Sequence, residues 1–250
     1  MKYPNPGLNY IHLLTSESTN DFALDYLSKT IPKDGFFVLA DFQTGGKGQY
    51  GRKWDSEASK NLLVSYIFGS SFLKLDQIFG LHLAGSLAIA DLLDDFRIED
   101  IRIKWPNDVL VGGRKIAGIL IQNVLKGQQL QHSVFGIGLN INQTNFETEH
   151  RATSLINLTG QENPILEMAF KLRIFLQKYL DLIRNGEHRE LLFKYNEQLF
   201  MRNEIGRFKI ESNDTFEAMI RSVDENGMLV LEKDGLLSKH HFGELHWEWK

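Results

Sequence analysis

Apolar residues recur along the chain in two patterns, short runs typical of strands and longer segments with helical spacing. Strands are predicted at residues 10–14, 36–40, 62–68, 101–105, 108–111, 115–122 and 134–141. Helices are predicted from residue 18 to about 27, over 75–96 as a long amphipathic helix, and over 164–185 and 187–202, with a polar loop at 144–160. The mixture of both element types predicts an α+β fold.

Residues 205–249 show a different pattern, with short runs of alternating apolar and polar residues. Turn signals at 212–214, 224–227 and 233–235 separate these runs. Strands of this length and spacing predict a small β-barrel of about fifty residues. We therefore place a boundary near residue 203, with a larger domain over 1–203 and a small β-domain over 204–250.

The composition is that of an ordinary globular protein, because 42% of the residues are hydrophobic and 24% are charged. The formal net charge of −4 gives no support to bulk binding of nucleic acid. The chain has no cysteine, which excludes disulfides, thiolate nucleophiles and thiolate metal sites. Its first residues lack the apolar core of a signal peptide, and no apolar run approaches a membrane span. We expect a cytoplasmic protein with no membrane contact.

A basic, glycine-rich segment at residues 41–54 lies between two predicted strands. It contains four glycines and three cations, which are Lys47, Arg52 and Lys53. Glycine lets the backbone approach a ligand closely, and lysine and arginine favour phosphate or another anion. Glycine content alone would favour a mobile surface loop, so a binding function needs support from the rest of the chain.

A second group of polar residues surrounds a predicted hairpin. Lys104 lies on an apolar strand, where an uncompensated ammonium is costly, and therefore needs a partner or an anionic ligand. Asn107 and Asp108 follow a proline at a strand end, and such a carboxylate would hold Mg²⁺ together with ligand phosphates. Lys115 lies on the return strand. Taken singly, each of these residues also fits a surface or turn position.

The start of the first helix offers a third polar group. Ser18 is the predicted N-cap, with Asp21 as its reciprocal acid, and Thr19 and Asn20 lie between them. These residues would start a helix in any case, but a helix start also presents hydroxyl, amide and free N–H groups to a polar ligand. The chain contains no G-x-x-x-x-G-K-[ST], no G-x-G-x-x-G that opens a helix after a strand, no histidine pair with zinc-ligand spacing on an evident helix and no Gly-x-Ser-x-Gly elbow. Any nucleotide has to be held in another way.

Five motifs follow one another along the chain. They are Ser18-Thr19-Asn20, Gln43-Thr-Gly-Gly-Lys-Gly-Gln-Tyr-Gly-Arg-Lys-Trp54, Lys104-Trp-Pro-Asn-Asp108, Arg114-Lys-Ile-Ala-Gly-Ile-Leu120 and Gly136-Ile-Gly-Leu-Asn-Ile-Asn142. In this order they resemble the biotin–protein ligases, over about residues 10–160. The resemblance implies a mixed sheet with flanking helices like that of class II aminoacyl-tRNA synthetases, and a small C-terminal β-barrel of SH3-like form.

The resemblance also implies a two-step reaction with biotin and ATP as substrates and with Mg²⁺. The carboxylate of biotin would attack the α-phosphorus of ATP, giving biotinyl-5′-AMP and pyrophosphate. A lysine of a biotin carboxyl carrier domain would then attack the mixed anhydride, giving biotinyl-lysine and AMP. Because two anions meet in the first step, neutralisation of the phosphates is the central physical requirement.

The roles implied for single residues follow from the matching motif positions. Catalytic roles would fall to Arg52, Lys104, Asp108 and Lys115, with Asp108 also holding Mg²⁺. Biotin would be bound by Ser18, Thr19, Asn20, Gln43, Gly46, Lys47, Gly48, Gln49, Lys115 and Gly118. ATP would be bound by Lys47, Arg52, Trp54, Lys104, Asn107 and Asn140.

Two features depart from the family's pattern. The family's loop carries arginine where this chain has Lys47 and Gln49. Lysine keeps the charge but loses the bidentate fork, and glutamine loses the charge, which bears on how tightly the adenylate is held. Only about nine residues precede the first strand, too few for the DNA-binding domain of some members, so we expect no DNA binding. Members of the family often dimerise through the catalytic sheet, and the same homodimer is an option here.

Two alternatives stay open. A lipoate or octanoate ligase or transferase resembles the same scaffold, although lipoate would need a longer apolar slot and an octanoyl transferase would not need ATP. From a different class, a catalytically inactive module whose β-barrel docks a partner would have the same fold. The presence of Lys104, Asp108 and Lys115 argues against that second alternative.

Overall fold

A computed structural model describes residues 9–146, 151–210 and 214–248. The strands of its larger sheet are β1 (Tyr10–Leu13), β2 (Phe36–Ala40), β3 (Leu62–Gly69), β4 (Ile101–Lys104), β5 (Asp108–Val111), β6 (Arg114–Lys126) and β7 (Gln129–Leu139). They are ordered β1-β2-β3-β7-β6-β5-β4; β1 and β2 run parallel, and the other neighbours are antiparallel. The helices are α1 (Thr19–Lys29), α2 (Phe79–Asp94), α3 (Leu155–Thr159), α4 (Ile165–Arg184) and α5 (His188–Glu197). Every strand predicted before residue 142 is found, so this part of the α+β prediction is confirmed.

The two faces of the sheet are covered unequally. Phe135 and Ile137 of β7 belong to the main apolar core beneath α2 and α4, whereas Val134 belongs to a smaller cluster beneath α1. Because side chains alternate along a strand, Gly136 and Gly138 share the face of Val134. The helix α1 covers only part of this face, through contacts with β2, β3 and β7. The uncovered part, floored by the two glycines, is where the predicted site residues gather.

The segment predicted as one amphipathic helix over 75–96 differs in two respects. A short 3₁₀ turn at Leu75–Gln77 precedes α2. Nearly all of α2 is buried, 13 of its 16 residues, so the amphipathic prediction was wrong. The cause is the position of α2 between the sheet and α4, which leaves no broad face for solvent.

Two predictions in the region that follows β7 also need correction. The segment 144–160, predicted as a loop, contains α3, which Ser154 caps by accepting a hydrogen bond from the backbone N–H of Asn157 at 3.4 Å. Gly160 ends this helix in the left-handed conformation, with φ of 72°. Residues 147–150 lie outside the described part of the loop. The last helix, α5, ends at Glu197, earlier than the predicted 202.

The C-terminal part forms a second, antiparallel sheet, which confirms the predicted β-structure. Its strands are β8 (Ile205–Ile210), β9 (Thr215–Val223), β10 (Leu229–Lys233), β11 (Leu236–His240) and β12 (Leu245–Glu248), in the order β11-β10-β9-β8-β12. The predicted turn at 212–214 falls mostly on residues 211–213, which lie outside the described residues. The division into domains near residue 203 stays a prediction.

The turn between β9 and β10 packs against the first part of the chain and so attaches the second sheet to it. Gly227 lies against the ring of Phe79 in α2 so closely that any side chain would overlap it, and φ of 80° also favours glycine. The indole N–H of Trp105 donates a hydrogen bond to the carbonyl of Gly227 at 2.9 Å. Asn196 exchanges two hydrogen bonds with the backbone of Val223, at 2.9 and 2.7 Å.

Within the described residues, no helix has both the length and the apolar character that a membrane crossing requires.

We expect the free energy of unfolding to fall as the pH drops from about 6.5 towards 4 because of His82. Burial lowers the pKa of His82 to about 4, and its Nδ1 is enclosed without a hydrogen-bond partner among the described residues. The unfolded chain takes up this proton near pH 6.5 and the folded chain does not, so stability decreases by up to about 3 kcal/mol and then levels off. Urea unfolding of His82→Phe should show a flatter pH dependence. The same replacement at exposed His241 is the control, and equal slopes for all three proteins would contradict the prediction.

Candidate active site

A cavity of about 1270 Å³ lies over the uncovered part of the sheet, between the start of α1, the glycine-rich segment and the second sheet. All but one of the residues named from the sequence line it. They are Ser18, Thr19, Asn20, Gln43, Lys47, Gly48, Gln49, Arg52, Trp54, Lys104, Asn107, Asp108, Lys115, Gly118 and Asn140. The exception is Gly46, whose backbone packs against the carbonyl of Trp54, where an added Cβ would lie 2.5 Å from the oxygen. Gly46 therefore helps to fold the glycine-rich segment and does not line the cavity.

The floor of the cavity consists of glycines on neighbouring strands. The amide of Asn20 lies directly over Gly136, and the indole of Trp54 lies over Gly138, so closely that a Cβ at either position would overlap them. At Gly118 an added Cβ would be 3.1 Å from Cζ3 of the same indole. The sequence predicted close packing at the glycines of β7. These glycines allow the side chains of Asn20 and Trp54 to lie against the sheet.

One end of the cavity is rich in hydrogen-bond acceptors. Gln43 Oε1 accepts from the backbone N–H of Thr19 at 2.7 Å and lies 3.0 Å from its hydroxyl. The hydroxyl of Ser65, on β3, lies 2.8 Å from Thr19 Oγ1 and 2.6 Å from Asn20 Oδ1. The Nδ2 group of Asn20 donates to Leu120 O at 3.2 Å. We call the oxygens of Thr19, Asn20, Gln43 and Ser65 the acceptor cluster.

Ser18 caps α1 as predicted, since its Oγ accepts from the backbone N–H of Asp21 at 3.4 Å. The predicted reciprocal bond from the Asp21 carboxylate is not what the structure shows. That carboxylate instead accepts from Lys47 Nζ at 2.6 Å, and this hydrogen bond raises the pKa of Lys47. The ion pair ties the glycine-rich segment to the start of α1, and both side chains stay largely exposed.

The glycine-rich segment folds back on itself over the cavity. Lys47 and Lys53 form an antiparallel bridge, and Gly48 donates to the carbonyl of Arg52 at 2.7 Å. Tyr50 lies at its tip with φ of 53°, and its hydroxyl donates to the carbonyl of Phe242, in the turn between β11 and β12, at 2.9 Å. The segment therefore joins the two parts of the chain across the mouth of the cavity.

The other end of the cavity carries the cations. Lys115 Nζ lies 3.2 Å from Asp108 Oδ1, and the two side chains are only 17% and 15% exposed. The same ammonium lies 5.4 Å from the ring centre of Trp54, and Lys104 Nζ lies 5.5 Å from that of Trp247. These residues meet because β4, β5 and β6 are adjacent, with Asp108 paired to both Lys104 and Gly118 in register.

The amides of the two remaining named residues are held by the backbone. Asn107 Nδ2 donates to Ile119 O at 2.9 Å, and Asn140 Nδ2 donates to Thr153 O at 3.0 Å. Asn140 is buried at the end of β7, whereas Arg52 is exposed on the glycine-rich segment. The indole N–H of Trp54 is enclosed and finds no acceptor within the described part of the chain.

Several lining residues were missed by the sequence reasoning. The second sheet supplies an aromatic and aliphatic wall that consists of Phe208, Leu229, Phe242, Leu245 and Trp247. No local signal marks these residues, because only the docking of the two sheets brings them to the cavity. Ser65 belongs to the acceptor cluster but is fully buried and does not line the cavity. It did carry a signal, since it is a single polar residue inside the apolar strand 62–68.

Comparison with known proteins bears on what this arrangement does. The family model described as "Biotin/lipoate A/B protein ligase family" matches residues 13–140, just over half of the chain. The chain belongs to the biotin/lipoate A/B protein ligase family. The matched residues contain the acceptor cluster, the glycine-rich segment and the cationic end of the cavity.

Curated relatives of this ligase family cover most of the chain. The bifunctional ligase/repressor BirA of Escherichia coli (strain K12) is 29% identical over 240 residues, which are 92% of this chain and 71% of that protein. The biotin--[acetyl-CoA-carboxylase] ligase of Mycobacterium tuberculosis is 28% identical over 221 residues, 87% of this chain and 81% of that protein. A solved biotin protein ligase from Aquifex aeolicus, in complex with biotin and ATP, has the same fold, with a TM-score of 0.80, 24% identity and coverage of 97% and 99%.

Proposed function

We propose that this protein is an ATP-dependent biotin–protein ligase, which forms biotinyl-5′-AMP and transfers biotin to a lysine of a biotin carboxyl carrier domain. The relative named as a biotin--[acetyl-CoA-carboxylase] ligase supports the proposal. The cavity supports it independently, because a single space joins an acceptor-rich end to a cationic end. A carboxylic acid with a polar ring would place its ring at the first end and its carboxylate at the second.

The hydrogen count in the acceptor cluster is the observation that favours biotin over lipoate. Three oxygen–oxygen contacts link Thr19, Ser65, Gln43 and Asn20, at 3.0, 2.8 and 2.6 Å. The hydroxyls of Thr19 and Ser65 supply only one hydrogen each, so one contact has no hydrogen between its oxygens. A ligand N–H would donate to one of these oxygens from the cavity and so add a donor to a cluster that is short of one. The ureido ring of biotin carries two N–H groups, whereas the dithiolane ring of lipoate carries none.

The cationic end suits the first chemical step. The biotin carboxylate attacks the α-phosphorus of ATP, the bond to the bridging oxygen breaks, and pyrophosphate leaves. Lys115 and Lys104 would reduce the repulsion between carboxylate and phosphate, and their partial burial strengthens that effect. Trp54, which lines the cavity, would help form the adenine site. These assignments, with that of Arg52 to the phosphates, are proposals.

Asp108 fits the magnesium ion that ATP chemistry requires. Its carboxylate lies beside Lys115, and no cluster of three His, Asp or Glu residues forms within the described ranges. Mg²⁺ commonly takes one or two carboxylates and completes its shell with phosphates and water. When bound, the ion would neutralise phosphate charge. Asp108 would hold it while remaining paired to Lys115.

In the second step the amine of the acceptor lysine, after losing its proton, attacks the carbonyl of the mixed anhydride, and AMP leaves. Asp108 would orient this amine, since its carboxylate lies at the cationic end where the anhydride forms. The carrier domain as partner belongs to this proposal. A homodimer through the larger sheet and a cytoplasmic location stay predictions.

Biotin-dependent exchange of pyrophosphate into ATP tests the first step. We expect exchange with biotin and Mg²⁺ and none with lipoic acid in place of biotin. Transfer of labelled biotin to the lysine of a purified carrier domain tests the second step. Exchange with lipoic acid alone would assign the protein to the other branch of its family. Binding of biotin and ATP without exchange or transfer would identify an inactive binding module.

A further inference from the structure

We propose that Gln122, together with the backbone carbonyl of Leu120, sets the ligand specificity of the cavity by holding the side-chain amide of Asn20 in one orientation. Gln122 is a positioning residue, because it acts on the ligand through Asn20. Gln122 does not line the cavity, and none of the motifs in the sequence contains it. The inference rests on the proposed function, since it concerns recognition of the biotin ring.

Asn20 reaches across three strands of the sheet. Its Nδ2 group donates to Gln122 Oε1 at 2.8 Å and to Leu120 O at 3.2 Å, so both amide hydrogens are used by β6. Its Oδ1 accepts from Ser65 Oγ on β3 at 2.6 Å. The absence of a side chain at Gly136, on β7 between these strands, makes this crossing possible. The amide is therefore held from both sides.

The two possible orientations of this amide would select different ligands. As held, Asn20 contributes the oxygen that leaves the cluster one hydrogen short, and the cluster favours a ligand that donates N–H groups. A rotation by 180° would turn the NH₂ group towards Ser65 and supply the missing hydrogen. The preference for an N–H donor would then be lost. Leu120 O opposes the rotation, because a backbone carbonyl can only accept and would face the oxygen of Asn20. Gln122 adds to this restraint, because it would have to turn its own amide to avoid the same contact.

Replacement of Gln122 by methionine, which has similar length but accepts hydrogen bonds only weakly, should release one of these restraints. We expect the dissociation constant for biotin, measured by calorimetry without ATP, to rise about tenfold or more. The preference for biotin over lipoic acid, measured by competition, should fall by a similar factor. Gln122→Glu keeps an acceptor for Asn20 and should stay within about threefold of the unmodified protein. Gln128→Met, at an exposed glutamine in the β6–β7 turn, is the matched control.

A measurement on the unmodified protein keeps the inference testable if Gln122→Met does not fold. Both Nδ2 hydrogens of Asn20 should exchange slowly with water in nitrogen-15 NMR spectra, with or without ligand, because both are hydrogen bonded. Fast exchange of either hydrogen would overturn the inference, as would a folded Gln122→Met that binds biotin like the unmodified protein. Failure of the unmodified protein to bind biotin would overturn the proposed function instead, and the exchange of Asn20 would still be measurable.

Discussion

Replacement of Lys115 by alanine is expected to lower the rate of biotin-dependent pyrophosphate exchange by about 10²–10³-fold. Its ammonium lies at the cationic end of the cavity, 3.2 Å from Asp108, and is mostly withdrawn from water. Removing it leaves the Asp108 carboxylate without its partner beside two approaching anions, so repulsion rises at the step where the carboxylate meets the α-phosphate. The effect should fall mainly on kcat, because the charge matters most when the two anions are brought together.

Arg114→Ala is the matched control, since Arg114 precedes Lys115 on the same strand but is exposed. It should leave exchange within about twofold of the unmodified rate, as expected for a surface charge. Thermal unfolding of both variants would show whether lost activity reflects lost structure. A rate within tenfold of the unmodified protein for folded Lys115→Ala would contradict the assignment of Lys115 to the reacting carboxylate and phosphate.

A methyl group added at Gly138 should also lower exchange by about a hundredfold or more, for a geometric reason. The indole of Trp54 lies flat on Gly138, so Gly138→Ala would displace the ring and the part of the glycine-rich segment that carries it. A shift of about 1 Å in a positioning residue can cost two orders of magnitude in rate. The affinity for biotin without ATP should change less, because the acceptor cluster lies over Gly136 and not over Gly138.

Gly118→Ala provides a graded comparison. Its Cβ would lie 3.1 Å from the same indole, a distance that a small adjustment accommodates, so we expect a loss of tenfold or less. Tryptophan fluorescence would report the displacement of Trp54 in each variant. If the two alanines reduced exchange equally, crowding of the indole could not be the cause of the loss.

The predictions that succeeded best concern features that depend on residues close together in the sequence. The strands around the hairpin, the cap at Ser18 and the close packing at Gly136 and Gly138 all follow from local chemistry, and the structure confirms each of them. The named site residues other than Gly46 line one cavity, and those around the hairpin meet there because β4, β5 and β6 are adjacent. Their individual roles stay predictions.

The predictions that failed concern features that depend on contacts between distant parts of the chain. Asp21 was assigned to its own helix start, but Lys47, far along the sequence, takes its carboxylate. The burial of α2 on nearly every side follows from α4, which lies some seventy residues further on. Gln122 is an unremarkable polar residue on a strand until its contact with Asn20 is known. A single sequence carries no pattern for such pairs.

The contact of Phe79 and Trp105 with the turn at Gly227 limits how this protein could exchange parts with others. Trp105 lies between Lys104 and the residues that lead to Asp108. The turn of any C-terminal sheet grafted from a relative would therefore press on the segment that carries these two proposed site residues. Such a chimaera would need glycine at the turn and a matching ring on α2. Without them, we expect a folded protein with reduced ligase activity. We therefore expect the two sheets to be exchangeable between relatives only together.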